Sequence, residues 1–261
     1  MLKRIISGIC LVIITAPALY FGGWFLYALC LFISLEGNYE LLRVAGLEKS
    51  PLAICAYVST VVYYILLDSA DNRYSMLVLV AAFLALMTIY VFTFPKYKAE
   101  NIMWSFFGII YVIGNILFIA LLRGAEHGII LVWYAIIAAW GTDIFAYLIG
   151  KRFGKHKFSK VSPKKSIEGC IAGILGAVII ALIYTVAINS IFEVQYSYVF
   201  IGIITAILSI AGQLGDFAAS SIKRYVDIKD YSNLIPGHGG MLDRIDSLMF
   251  LAPYAYILLS L

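Results

Sequence analysis

Apolar stretches near the length of a membrane-crossing helix recur along this chain from end to end, and few folds can accommodate that pattern. A helix needs about 20 residues to cross a hydrocarbon layer of about 30 Å. Nine runs can be counted: Ile5 to Tyr20, Gly22 to Leu42, Leu52 to Leu67, Ser75 to Phe94, Ile102 to Leu122, Ile129 to Gly150, Gly169 to Ile188, Val199 to Ser220, and one ending at Leu261. They are continuous and not alternating, so the backbone has to bond within each segment, and a barrel of two-faced strands is excluded. The expected fold is an all-α integral membrane bundle of about nine transmembrane helices. Composition agrees, with 63% hydrophobic and 13% charged residues, far from soluble domains. No polar segment is long enough for a separate soluble domain.

Charge placement orients the bundle. If the N-terminus lies in the cytosol, 17 of the 19 Lys and Arg residues fall on inside loops, and only Arg73 and Arg123 fall outside. A missed helix would have scrambled that sorting, so the expectation is a cytosolic N-terminus, an outside C-terminus and a multi-pass protein of the cytoplasmic membrane. In a soluble protein a net charge of +4 would hint at nucleic acid; here the basic residues follow the membrane, and no nucleic-acid partner is expected. Met1 to Ala18 also has the shape of a secretory signal, ending in Ala16, Pro17 and Ala18. The span reading is preferred, because cleavage would strip the next helix of its basic flank. Cys10, Cys30, Cys55 and Cys170 sit in apolar spans without paired spacing and read as packing residues.

Polar chemistry is concentrated in the second half. Residues 1–128 read as a five-helix scaffold, and 129–261 as a catalytic region of four helices with two cytosolic loops. Within the scaffold only Glu36 and Glu40 stand out, four apart near Arg43, either as interfacial carboxylates or as part of a site lining. Asp143 lies inside the sixth run, where an ionisable residue is costly unless it has a role. The following loop carries Lys164, Lys165 and Ser166 among many cations that suit anionic phosphate or anionic headgroups, and Ser166 to Glu168 also resembles a helix cap. Asp216, Ser220 and Lys223, followed by Arg224, share one helical stripe, which an intrahelical salt bridge would also explain. Pro236, Gly237, His238, Gly239 and Gly240 make a loop whose amides can face an anion. The last apolar run is too short unless its helix starts near Met241. That start puts Asp243 and Asp246 three apart on one face beside Arg244, an arrangement that looks like a metal site.

These residues resemble the phosphatidate cytidylyltransferases, or CDP-diacylglycerol synthases. The signature runs Ser220, Ser221, Ile222, Lys223, Arg224, then Lys229, Asp230, Ser232, Ile235, Pro236, His238, Gly239, Gly240, Met241, Asp243, Arg244, Ile245 and Asp246. A second region shared by the family resembles Asp143, Ala146, Tyr147 and Gly150, then Gly154, Lys155, His156, Ser162, Pro163, Lys165, Ser166, Glu168 and Gly169. Two departures are Ala219, where relatives often carry an acidic residue, and Ala172, where a second glycine is common.

The resemblance implies CTP and phosphatidic acid as substrates, membrane lipid as surroundings, a divalent cation such as Mg²⁺, and a homodimer. Mn²⁺ in its place and a monovalent co-ion stay open. On this reading Asp216, Asp243 and Asp246 hold the cation, and Lys164, Lys165, Lys223, Arg224 and Arg244 bind phosphates. Ser166, Ser220 and His238 position the substrates, with Asp143, Gly239 and Gly240 lining the site. No nucleophile with a partnered base is evident, so direct attack on the α-phosphorus is expected. The competing readings are a CTP-dependent lipid kinase and, from another class, an ion-coupled transporter. A CDP-alcohol phosphotransferase fits less well, because Gly240, Asp243 and Asp246 are spaced three and three where that family wants four and four.

Overall fold

A computed structural model describes residues 2–67, 73–159, 161–163, 165–192 and 194–260. Among them the chain forms nine helical rods. These are α1 (Leu2–Phe21), α2 (Gly23–Val44), α3 (Pro51–Leu67), α4 (Arg73–Thr93), α5 (Ala99–Gly124), α6 (Gly128–Phe153), α7 (Ile167–Ile191), α8 (Tyr198–Tyr225) and α9 (Leu242–Ser260). Each of α5 and α6 contains one π-helical turn, Ile109–Ile113 and Ile137–Gly141. Six rods among the described residues, α2 and α4 to α8, are long and apolar enough to cross a membrane. The apolar parts of α1 and α3 are shorter, and α9, at 19 residues, is not among the six. Large apolar side chains such as Trp24, Phe92 and Ile183 point outward along the rods, as expected of a surface facing lipid. The chain is a multi-pass membrane protein.

Local signals end the helices where the sequence changes character. Gly22, at a positive φ of 65°, breaks α1 from α2 without a side-chain clash. Ser166 and Ser197 cap α7 and α8, their hydroxyls accepting the Gly169 and Phe200 amides. The Asn189 amide clasps Tyr196 across the α7–α8 turn, donating to its carbonyl and accepting its N–H, both at 2.9 Å.

The rods fall into two compact units, each joining segments distant in sequence. The first comprises Met1–Ala120 with Asp230–Arg244, and the second comprises Leu121–Lys229 with Ile245–Leu261. In the first, α2 packs on α1, α3 and α5. Two buried polar pairs bridge its helices, Ser34 with Tyr64 at 2.9 Å and Asn38 donating to Thr60 at 3.2 Å.

In the second unit α6 and α7 make the closest pairing, because glycines let the two backbones approach. A Cβ added at Gly169 would meet the Ala146 carbonyl at 2.8 Å, and one at Gly173 the Thr142 carbonyl at 2.9 Å. Ala172 is only half-buried beside this seam, so the methyl it carries in place of a second glycine leaves the contact intact. Hydroxyl pairs add specificity, Thr142 with Ser209 at 2.6 Å and Tyr134 with Thr185 at 2.9 Å. Gly173→Ala should therefore destabilise the protein by about 1–3 kcal/mol through overpacking against backbone. Gly202→Ala, whose methyl would meet only Val178 at 3.9 Å, should be neutral or stabilising. Thermal unfolding in detergent checks both, and equal midpoints for the two variants would refute the glycine seam.

Candidate active site

In the second unit a small hairpin follows α6. Phe158 N–H donates to the Lys165 carbonyl at 3.1 Å, and Ile167 N–H to the His156 carbonyl at 2.9 Å, so the chain turns back on itself before α7. The Glu168 carboxylate holds the base of the turn. It accepts the Lys155 and His156 amides and lies 2.6 Å from His156 Nδ1. Ser166 thus does the cap work that its position suggested, whereas Glu168, in the first turn of α7, reaches back to the hairpin. Phe158 stacks on Phe217 of α8 with ring centroids 4.7 Å apart, which docks the hairpin against that helix. Docking carries Lys165 over the Phe217 ring, where its ammonium forms an ion pair with Asp216 Oδ2. The cationic loop and the eighth-span aspartate, separate in sequence, meet here.

The rest of the α8 stripe is as the spacing predicts. Ser220 donates to Asp216 Oδ1 at 3.3 Å one turn on, and Lys223 is buried one turn further. Asp216 therefore takes an ion pair from the hairpin. Arg224 is exposed and donates to the Ile228 carbonyl at 2.9 Å, closing the end of the helix. Gly215 brings α9 close, since a Cβ there would lie 2.6 Å from the Asp246 carbonyl. Asp246 is itself buried and lies within electrostatic reach of Asp216, Lys223 and Asp143. Asp143 follows the π turn of α6, the kind of irregularity often found at functional positions.

The first unit holds the glycine loop. Ile235 and Gly239 bond to each other in both directions, with Gly237 and Gly239 at φ of 80° and 86°, so the loop is a tight turn that needs glycine there. Ser7 of α1 donates to the Pro236 carbonyl and lies 2.7 Å from His238 Nδ1. Loop amides do face anions, but the ones they meet are the protein's own carboxylates. Asp243 Oδ2 accepts the Tyr231 and Gly240 amides, both at 2.9 Å. Glu40 of α2 accepts the Met241 and Leu242 amides, both at 2.8 Å, and the Ser232 hydroxyl at 2.5 Å. Arg244 is exposed on the first turn of α9.

Asp216, Ser220, Lys223, Lys165, Asp246 and Asp143 thus gather in the second unit, whereas Asp243, Arg244, His238, Gly239 and Gly240 belong to the first. Lys164 lies outside the described residues. Glu40 was visible to sequence reasoning only as one of two carboxylates near Arg43. Its partners lie 192 to 202 positions away, and no local pattern connects them.

Among the described residues no group of three or more His, Cys, Asp or Glu is close enough to cage a metal ion. The donor set still suits Mg²⁺, which takes one or two carboxylates and completes its shell with water and substrate oxygens. Asp216 and Asp246 are such a pair within the second unit.

Comparison with known proteins agrees with the geometry. A model of the Cytidylyltransferase family matches residues 2–261. Proteins named phosphatidate cytidylyltransferase from Staphylococcus saprophyticus and Staphylococcus haemolyticus are 30% and 31% identical, each match covering 98% of both chains. One of the same name from Bacillus subtilis is 41% identical over 137 residues, a match that takes in 52% of this chain and 49% of the Bacillus protein. With the family matched along its whole described length, the chain belongs to the Cytidylyltransferase family.

Proposed function

We propose that this protein transfers the cytidylyl group of CTP to phosphatidic acid, giving CDP-diacylglycerol and pyrophosphate for phospholipid synthesis. The observation that carries the reading is the meeting of Lys165 with Asp216 beside Ser220, Lys223 and Asp246, at the polar end of apolar helices. That combination of ammonium and carboxylate groups suits substrates that are both polyanions, one of them anchored in lipid. End-to-end similarity to proteins named phosphatidate cytidylyltransferase supports it.

In the proposed reaction a phosphatidate oxygen attacks the α-phosphorus of CTP in line. The bond from that phosphorus to the bridging oxygen of the β-phosphate breaks, and pyrophosphate departs. The nucleophile is already anionic and needs little help from a general base, so the protein's work is positioning and neutralisation of charge. In the second unit Lys165, Lys223 and Arg224 bind phosphate, Ser166 and Ser220 position it, and Asp143 lines the site. Lys164 is assigned to the same task from sequence. In the first unit His238, Gly239, Gly240 and Arg244 act on substrate, held by the loop. Asp216 and Asp246 would hold Mg²⁺, or Mn²⁺ in its place, and Asp243, which belongs to the first unit, is assigned to the cation from sequence alone. When bound, the cation neutralises phosphate charge and steadies the leaving group. The proposal includes a cytoplasmic-membrane location with the N-terminus and the loops in the cytosol, the C-terminus outside, and a homodimer.

The test uses purified protein, phosphatidic acid, Mg²⁺ and CTP labelled separately at the α and γ phosphates. The α-label should enter lipid and the γ-label pyrophosphate, with inversion at an α-thio-substituted phosphorus. Gamma label in lipid would mean a kinase, and retention at phosphorus a covalent intermediate. No label in lipid, with ion flux in sealed vesicles lacking CTP, would mean a transporter.

A further inference from the structure

Glu40 is fully buried, and its position makes it expensive. It lies in the last turn and a half of α2, where the helix dipole repels an anion, and burial of a carboxylate is tolerated only when it is well hydrogen-bonded. Its donors among the described residues come from one segment. Ser232 donates to Oε1 at 2.5 Å, Met241 N–H to Oε1 at 2.8 Å, and Leu242 N–H to Oε2 at 2.8 Å. The two amides are at the N-terminus of α9, where helix N–H groups lack intrahelical acceptors and the dipole attracts negative charge. Gly240 lies flat against the carboxylate, a Cβ there falling 2.5 Å from Oε1. Glu40 therefore ties both ends of the Ser232–Leu242 loop to α2, while Asp243 ties Tyr231 to Gly240 from within.

We propose that Glu40 is a positioning residue for the cytidylyl transfer, a trans cap that fixes the glycine loop and the first turn of α9. It touches no substrate itself. Through the loop it sets where His238, Asp243 and Arg244 stand. This inference rests on the function proposed above.

Charge and both oxygens are needed. A glutamine at this position would turn an NH₂ group toward at least one backbone N–H, setting donor against donor. Glu40→Gln should lower kcat by about 100-fold, the loss expected when reacting groups are misplaced by about 1 Å. Hydrogen exchange should rise at the Met241 and Leu242 amides and across the loop, while the melting temperature in detergent and the apparent KM for CTP change little. Glu36→Gln, one turn back on α2 with no bond to the loop, should keep wild-type turnover. Ser232→Ala removes one donor only and should lower kcat several-fold with faster exchange confined to the loop. Wild-type kcat and exchange in Glu40→Gln would overturn the proposal. So would a Glu40→Gln protein that unfolds, or loses melting temperature in step with kcat, alongside a Ser232→Ala protein with unchanged kcat. If the wild-type protein itself made no CDP-diacylglycerol, the proposed function would fail first. An active wild type with an equally active Glu40→Gln variant would sink the positioning role alone.

Discussion

Asp216→Asn should lower turnover by about two to three orders of magnitude, the scale on which loss of a preorganised electrostatic group is felt. The fold should survive. Asparagine keeps the shape and an acceptor for the Ser220 hydroxyl, and the Phe158–Phe217 stack docks the hairpin independently of the charge. What the substitution removes is the anion that meets Lys165 and one of the carboxylates proposed above to hold the cation. Rates of CDP-diacylglycerol formation measured against Mg²⁺ concentration should show both a lower ceiling and a weaker apparent metal affinity. Turnover within a few-fold of wild type at limiting Mg²⁺, with unchanged melting, would show that Asp216 only anchors Lys165.

The helices were legible in the sequence because lipid demands continuous apolar segments, and nine runs became nine rods among the described residues, six of them long and apolar enough to cross. Their ends were read less well for a physical reason. Hydropathy marks where hydrocarbon stops, whereas hydrogen bonding continues, so α8 runs on through Lys223 and Arg224 to Tyr225. Helix length did locate the start of α9, at Leu242 against the expected Met241. The π turns left no signal, since each adds one residue inside an apolar stretch. At the site, periodicity correctly aligned Asp216, Ser220 and Lys223, because that stripe is a property of one helix. The Lys165–Asp216 pair and the Glu40 cap are properties of tertiary packing. A glycine loop with spare amides told of an anion, but not that Glu40 and Asp243 would be the anions.

That last point makes Gly240 a sharp probe. Its φ is not in the left-handed region, unlike those of Gly237 and Gly239, so alanine is conformationally allowed there and any loss has to come from space. The added methyl would lie 2.7 Å from Glu40 Cδ and Oε2, and still closer to Oε1. The carboxylate is held by three donors and has nowhere to retreat, so the loop base must move. Gly240→Ala should cost about 100-fold in kcat by displacing the loop, with about 1–3 kcal/mol of overpacking visible in the melting curve. Two explanations of the glycine then separate in a double-mutant cycle. If Gly240 exists to admit the Glu40 carboxylate, Glu40→Ala vacates the space the methyl needs, and the double variant should be no slower than Glu40→Ala alone. If Gly240 instead admits a substrate phosphate, its loss should multiply with that of Glu40→Ala, leaving the double variant slower by the full factor. Neighbouring residues in contact commonly couple by about 0.5–3 kcal/mol, and the upper part of that range is expected here.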